Sequence, residues 1–537
     1  MRRRARALML QGTGSHVGKT VLTAALCRLF REAGHDVAPF KAQNMALNAA
    51  VTRDGGEIGW AQAMQAEAAG VEPTVDMNPI LLKPESGGSQ VVVRGRVWAT
   101  LSPGEYYARR DELWEVVTAA YRRLARAHDV IVIEGAGSPA EPNFMAVEIV
   151  NMAVARRARA PVVLVGDIDR GGVFASLVGT LALLPPRDRR RVAGFLVNRF
   201  RGDPVLLAPA LDFLTARTRR PVFGVVPYIG DLCLPEEDSV ALDPVIGEPR
   251  IRGAGTGGAP PEGRRPEASR RDATRERRPG GRRPTASRPD GCRASPPTVD
   301  VVRLPHIANF TDFAPLAADP AVALRYVRHP EELSGAALVI LPGSKDTLAD
   351  LRWLHATGFA GVLRAHVARG GRLAGVCGGF QMLGRWVEDP DRLEGGGRVE
   401  GLGCLPVTTV LEADKVTRRV RARLADDPTA FEAYEIHLGR TSVEETVGPF
   451  AVVEAPEGSR PDGAVSSDGR VWGTYLHGLF DAPPVRRALT GSRDGTMPGV
   501  GTTESYRALR EREYTRLADL VRHHVDVAAL RKLMGLA

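Results

Sequence analysis

Cysteine is scarce in this 537-residue chain, and the five that occur, Cys27, Cys233, Cys292, Cys377 and Cys404, show neither CxxC nor metal-ligand spacing. An odd, scattered set excludes a disulfide frame and leaves reduced thiols, of which at most one is expected to do chemistry. Long apolar runs are also missing. None approaches the ~18 residues of a membrane span, and Met1-Arg-Arg-Arg-Ala-Arg6 leads into only a short apolar stretch before Gln11. The expectation is a cytoplasmic protein with no membrane partner. Lysine is scarce as well, at six of 72 basic residues. Arginine carries the general surface charge, so each lysine is informative. Lys19, Lys41, Lys83 and Lys345 fall beside turn signals or Gly-rich segments.

What is present is an ordinary globular balance, 44% hydrophobic and 25% charged, at a length that predicts roughly 3 domains. The net charge of +9 suggests an acidic partner such as nucleic acid, but its location removes that inference. Residues 250–293 hold thirteen Arg against five Asp/Glu, a net of +8; Arg2, Arg3, Arg4 and Arg6 add +4, which leaves −3 for everything else. The basic stretch is crowded with Gly, Pro, Ala and Ser and nearly empty of large apolar side chains, so it cannot bury enough surface to offset its chain entropy. It reads as a disordered linker over 246–298. A first domain at 1–245 and a second at 299–537, ending in a helical tail, flank it, and no nucleic-acid partner is expected.

The first domain opens with an apolar run, Ala7 to Leu10, then Gly12-Thr13-Gly14-Ser-His-Val17-Gly18-Lys19-Thr20, then apolar residues at helical spacing from Val21 to Phe30. That is strand, glycine loop, helix. Such a loop captures anions: backbone N–H groups at the helix N-terminus face phosphates, Lys19 adds a point charge, and the Thr20 hydroxyl suits Mg²⁺. It is one residue longer than a standard Walker A, with five residues between Gly12 and Gly18. Later apolar runs also end in polar groups: Val37 to Phe40 at Lys41, Val130 to Ile133 at Glu134, Val162 to Val165 at Gly166-Asp167, and Phe195 to Val197 at Asn198. Continuous apolar runs alternating with helices predict a doubly wound parallel sheet, whose ligand crevice lies beyond the carboxyl ends of its strands. Lys41, Glu134, Asp167, Asp169 and Asn198 then converge on the phosphate loop, with Glu134 as the second Mg²⁺ partner.

These segments resemble the dethiobiotin-synthetase-like amidoligases, whose extended loop reads GTxSxVGK[ST] and whose later Glu-Gly-Ala-Gly carries a metal-binding glutamate. The finer similarity is to the cobyric acid synthase family. Lys41-Ala-Gln43-Asn44-Met-Ala-Leu-Asn48, Met77-Asn-Pro-Ile-Leu-Leu-Lys83-Pro84, Glu134-Gly-Ala-Gly-Ser-Pro-Ala140, Asp167-Ile-Asp169-Arg-Gly-Gly172 and Asn198-Arg-Phe-Arg-Gly-Asp203 carry it. The resemblance implies ATP as co-substrate and Mg²⁺ as cofactor. ATP would meet Gly12, Thr13, Gly14, Val17, Gly18, Lys19, Thr20 and Asn198, with Asn198 and Gly224-Val-Val-Pro227-Tyr228 toward the adenine. The metal would meet Thr20 and Glu134. Lys41, Gln43, Asn44, Lys83, Asp167 and Asp169 would line the substrate side.

In the second domain, apolar runs resume at Val301-Val302 and at Ala336 to Leu341, the latter before Pro342-Gly343-Ser344-Lys345. Gly371-Arg-Leu-Ala-Gly375-Val-Cys377-Gly378-Gly379-Phe-Gln-Met-Leu-Gly384 then reads as a sharp strand-to-helix elbow exposing a nucleophile, with the helix N-terminus favouring thiolate. A thiolate needs a proton partner. His477, in Gly473-Thr-Tyr-Leu-His477-Gly478, and His437, in Tyr434-Glu-Ile-His437-Leu-Gly-Arg-Thr441, both qualify, and the residues alone leave the choice open. Resemblance decides it. The elbow, the preceding LPGS turn and the later YxHG look like class I glutamine amidotransferases, and YEIHxGRT with GTYLHGLFD looks like their cobyric acid synthase branch. This implies a flavodoxin-like α/β domain in which Cys377 attacks the glutamine side-chain amide and His477 shuttles the proton. N–H groups near Gly343 and Gly378 would stabilise the oxyanion. The acid usual two residues after the histidine is absent, since Leu479 stands there, and Glu435 is a candidate substitute for orienting His477.

Joined, the halves imply glutamine-derived ammonia meeting a carboxylate activated by Mg·ATP as an acyl-phosphate. By resemblance the acceptor is a corrinoid, adenosylcobyrinic acid a,c-diamide, amidated at its b, d, e and g side chains. Two alternatives stand beside this. A cobyrinic acid a,c-diamide synthase has the same halves, though Lys41-Ala-Gln-Asn-Met45 and His306-Ile-Ala-Asn-Phe-Thr-Asp312 favour the former. A partition-type ATPase using the Arg-rich stretch to bind nucleic acid leaves Cys377 and His477 unexplained.

Overall fold

The apolar runs that end in polar residues become the strands of a parallel sheet. The computed structural model describes residues 5–85, 88–235, 296–333, 335–454, 458–490 and 504–536. Among these, residues up to 235 and from 297 onward belong to one compact unit. The stretch at 246–298 read as a linker lies outside the described residues except for its last three, and Thr298 already opens the strand Thr298–Val302.

The first half is built on six strands in the spatial order Val222–Pro227, Val192–Phe200, Val162–Asp167, Arg6–Gly12, Val130–Glu134, Val37–Phe40. Every neighbouring pair is parallel. Val130, Ile131, Val132 and Ile133 are all buried because helices cover both faces. Each such side chain contributes ~1.5–3 kcal/mol of burial, which is why the run tolerates no polar alternation. The helix Lys19–Glu32 starts at Gly18 and packs Leu22, Ala25, Leu26, Leu29 and Phe30 inward. A second, four-stranded sheet, Gln43–Met45, Ile80–Glu85, Gly88–Val93 and Arg96–Leu101, stands beside this one. Lys83 lies within the strand Ile80–Glu85, two residues before the strand ends and pairs back through Glu85 and Gly88.

The second half centres on Ala323–Val327, Thr298–Val302, Leu338–Leu341, Leu373–Val376 and Val471–Thr474, all parallel, with Ala464–Val465 antiparallel at one edge. An antiparallel sheet brings Ala430–His437 against Leu476–His477, with Tyr434 opposite His477. The chain is therefore α/β with two doubly wound sheets.

The C-terminal tail requires a correction. Its helices Tyr506–His524 and Val527–Met534 place Tyr514, Leu517, Val521, Leu530 and Met534 in one apolar cluster with Leu8, Leu26, Phe30 and Phe223 of the first half. Val525 bridges to Gly224, and the Asp526 N–H donates to the Phe223 carbonyl at 2.7 Å. The tail follows the second half in sequence but completes the core of the first.

Candidate functional site

At the carboxyl end of the first sheet, the loop from Gly12 to Lys19 turns back on itself. Lys19 Nζ donates to the carbonyls of Gly14 at 2.8 Å and Gly137 at 3.2 Å. Gly18 has φ +94, and a Cβ there would collide with Asn198 Nδ2, so only glycine serves. Asn198 donates to the Val17 carbonyl at 2.9 Å and so braces the loop from below. Thr13 N–H is held by the Val165 carbonyl at 3.0 Å.

Glu134 gathers this edge together. Thr20 Oγ1 and Lys41 Nζ each donate to Glu134 Oε1 at 2.9 Å, and Gln65 Nε2 donates to Oε2 at 2.6 Å. Burial opposes the charge on Glu134, but Lys41 and Lys19 outweigh it and hold the carboxyl below its usual range. Magnesium fits these donors: a hydroxyl and an ionised carboxylate 2.9 Å apart are both hard oxygens. No cluster of three His, Cys, Asp or Glu able to hold a metal occurs among the described residues, so phosphate and water oxygens would supply the other ligands.

The remaining residues read as substrate-side divide. Asp167 ends its strand and accepts from Arg199 at 3.1 Å, while Asp169 accepts from Arg201 at 2.9 Å. Gln43 accepts from the Tyr106 hydroxyl. Asn44 alternates to the opposite face, where it is buried and donates to Gln62 at 3.1 Å. Lys83 lies in a different cavity altogether, the one that holds Cys377 and His477. Lys83 thus lies at the Cys377 cavity and Asn44 against Gln62, whereas Lys41 lies at the phosphate edge beside Glu134.

In that second cavity Cys377 sits between the strand Leu373–Val376 and the helix Gly378–Leu383 with φ +54 and ψ −112, a conformation that costs a non-glycine residue ~1–3 kcal/mol. A Cβ on Gly379 would collide with the Leu341 carbonyl, so the elbow closes only with glycine there. The thiol donates toward the Ile436 carbonyl at 3.5 Å. Gly343 and Gly378 line the same cavity, and Gly343–Ser344 is fixed by pairing with Ile307–Ala308.

The geometry separates the two histidines. His477 is fully buried, and its Nδ1 lies 2.6 Å from Asp312 Oδ2. Asp312 Oδ1 also accepts from Gly478 N–H at 3.1 Å and the Tyr434 hydroxyl at 3.4 Å, and the Tyr434 ring stacks on His477 with centroids 5.1 Å apart. Burial disfavours the imidazolium, yet Asp312 more than offsets it and pushes His477 up to about 10, with Cys377 adding to the effect. His437 instead stacks on Tyr475 at 3.8 Å, and burial pulls it down to about 4, leaving it neutral. Glu435 accepts from Arg418 at 2.5 Å and from Arg460, so it is not the acid that orients His477. Asp312 is. It was missed as a site residue because it lies 165 positions before its histidine. The signal was its place at the end of His306-Ile-Ala-Asn-Phe-Thr-Asp312.

Residues 8–239 match the model of the CobQ/CobB/MinD/ParA nucleotide binding domain, and residues 298–485 match the CobB/CobQ-like glutamine amidotransferase domain. The chain is 45% identical to "Cobyric acid synthase" of Syntrophobacter fumaroxidans, with 99% of each chain covered. It is 47% identical to the protein of that name from Sorangium cellulosum over 98% of each, and 46% identical to that of Desulforudis audaxviator over 99% of this chain and all of that one.

Proposed function

We propose a reaction from one premise: this chain belongs to the cobyric acid synthase family. It is an amidotransferase that uses glutamine. Its substrate is adenosylcobyrinic acid a,c-diamide, and it converts the b, d, e and g carboxylates to amides, giving adenosylcobyric acid in cobalamin biosynthesis. The observation that carries this reading is the pairing of two chemistries in one compact unit: a phosphate loop with Lys19, Thr20 and Glu134, and a strained Cys377 beside the His477–Asp312 pair.

Direct amide formation from carboxylate and amine in water is unfavourable, so each carboxylate is first phosphorylated. Its oxygen attacks the γ-phosphorus of ATP, ADP leaves, and an acyl-phosphate forms. Lys19 and the loop N–H groups offset the charge that develops on the transferred group. Thr20 and Glu134 would hold magnesium, which would add neutralisation of that charge. At the other site the Cys377 thiolate adds to the glutamine side-chain carbonyl, with the N–H groups near Gly343 and Gly378 receiving the oxyanion. His477, protonated and oriented by Asp312, gives its proton to the departing ammonia. Water then hydrolyses the glutamyl thioester to glutamate. Ammonia attacks the acyl-phosphate and displaces phosphate.

Mass spectrometry of the a,c-diamide incubated with Mg·ATP and glutamine tests this. Successive carboxylate-to-amide steps ending at four are expected. A corrinoid unchanged with either glutamine or ammonia would overturn the substrate assignment.

A further inference from the structure

The cavity that holds Cys377 is not built by the second half alone. Lys83 and Gln90, on the strands Ile80–Glu85 and Gly88–Val93 of the first half, line it beside Cys377, His477, Glu394 and Lys415. Other contacts fix the first half against this cavity. The Ala49 N–H donates to Asn309 Oδ1 at 3.0 Å, Arg419 donates to the Val51 carbonyl at 2.6 Å, and Ile436, whose carbonyl meets the Cys377 thiol, packs with Ala49, Val51 and Leu81.

The charges around Glu57 do not balance. Glu57, 1% exposed, is ion-paired both to Lys83 and, at 2.5 Å, to Lys415. Despite burial the two lysines pull Glu57 down to about 2, so the carboxylate stays ionised. Burial pulls Lys83 down to about 8, opposed mainly by Glu57, so it remains mostly charged near neutral pH. Two cations share one carboxylate. The adjacent Lys345 is matched by Glu85 at 2.7 Å and leaves the excess untouched, while His437 is neutral and His477 is matched by Asp312. A surplus charge with little access to water is costly until an opposite charge meets it. Glu394 in the same cavity, pushed up to about 8 by burial and by Asp346, has the opposite character. It gains its charge most easily beside an added cation.

A cavity with surplus positive charge at one group and a reluctant acid at another matches the two ends of a free α-amino acid. We infer that glutamine docks with its α-carboxylate on the Lys83–Lys415 pair, so that a residue of the synthetase half completes the glutaminase site. Glu394 receives the α-ammonium. This rests on the glutaminase reading above, and its consequence is specific: glutamine is held properly only while the two halves are engaged, which ties ammonia release to the synthetase half.

The test compares ammonia release from glutamine and from 4-aminobutanamide, which is glutamine without its α-carboxylate. The unsubstituted enzyme is expected to prefer glutamine by roughly 10- to 100-fold in kcat/KM, the range for a hydrogen bond to a charged group. In Lys83→Met that ratio should fall to within about threefold of unity, through KM for glutamine rather than kcat, because the pairwise contact is gone. Lys83→Arg should restore much of it. A variant that merely loosens the fold lowers both substrates together and leaves the ratio standing, which would overturn the inference. Should Lys83→Met fail to fold, Lys83→Gln, which keeps a hydrogen-bond donor toward Glu57 but removes the charge and leaves Glu57 balanced by Lys415, carries the same readout. Ammonia release from neither compound by the unsubstituted enzyme would bring down the glutaminase reading itself, and this inference with it.

Discussion

The two sites rest on the same local device, a strand that breaks sharply into a helix through glycine, but they distribute the strain differently. In the phosphate loop the left-handed residue beside the helix is Gly18, φ +94, and in the reaction proposed above the groups that meet the phosphates are backbone N–H and the Lys19 ammonium. In the elbow it is Cys377 itself, φ +54, the proposed nucleophile. Anion binding needs a backbone that can curl, and glycine curls without strain. Nucleophilic attack needs one side chain thrust forward, and a strained backbone at that residue does so. The supports differ as well. Asn198 braces the loop with one hydrogen bond to Val17, whereas the elbow's partner His477 is held by a buried carboxylate and a stacked tyrosine.

The largest expected effect separates the two sites. Cys377→Ser should lower glutamine-supported amidation by about 10⁴-fold or more while ammonia-supported amidation survives. Loss of both would mean that the elbow also serves the synthetase step. Asp312→Asn comes next, at about 10³-fold on glutaminase turnover, because the amide cannot stabilise the imidazolium and favours the wrong tautomer. It also has a signature in stability. The pKa of His477 is about 10 in the folded chain, above the ~6.5 of a free imidazole. The stability it contributes is therefore fully present below about pH 6.5 and lost as pH rises through about 10. Denaturant melts of parent and variant should differ most below pH 6.5 and converge on the alkaline side. A gap that widened with pH would remove Asp312 from this role. Lys19→Met should cost ~10²–10³-fold, the scale of one lost electrostatic stabiliser, and equally with glutamine or ammonia as nitrogen source. Unequal loss would break the division between loop and elbow.

What was legible in the residues follows the same division between local and distant. The Val37–Phe40 strand has the limits that its apolar run predicts, and the helix after Gly18 ends at Glu32, two residues past the last apolar position at helical spacing, Phe30. Each of these signals lies within a dozen positions of what it determines. Asp312, in the short helix Phe310–Phe313, and His477, 165 positions later, meet with nothing in the spacing to join them, and an acid expected two residues after the histidine drew attention to Glu435 instead. Lys83 shows the limit from another direction. Its neighbours in sequence point to the synthetase half, and it does sit there, but its side chain faces the other half's cavity. Which partner a buried cation meets is a property of packing between elements, and sequence periodicity does not encode it.

The C-terminal helix sharpens the comparison at its weakest point. The elbow's short helix is buried along its whole length within its own half, from Gly378 to Leu383. The helix behind the phosphate loop instead relies on Tyr506–His524, which arrives from the far end of the chain and makes two kinds of contact with it. One is apolar, through Tyr514, Leu517 and Val521 in the cluster with Leu26 and Phe30. The other is polar: Arg28 pairs with Glu511 at 2.9 Å and donates to Thr515 at 2.9 Å, and Arg522 pairs with Glu32, with the Glu511 side chain 39% exposed. A pair that open to water is screened and gives back in side-chain entropy much of its attraction, so Glu511→Ala should cost less than about 1 kcal/mol. The cost should shrink further in high salt, as the Debye length falls. Thermal melts at low and high ionic strength measure both. A salt-sensitive loss above about 2 kcal/mol would show that charge, not apolar burial, seats this helix behind the phosphate loop. The loop's support would then depend on ionic strength in a way that the elbow's does not.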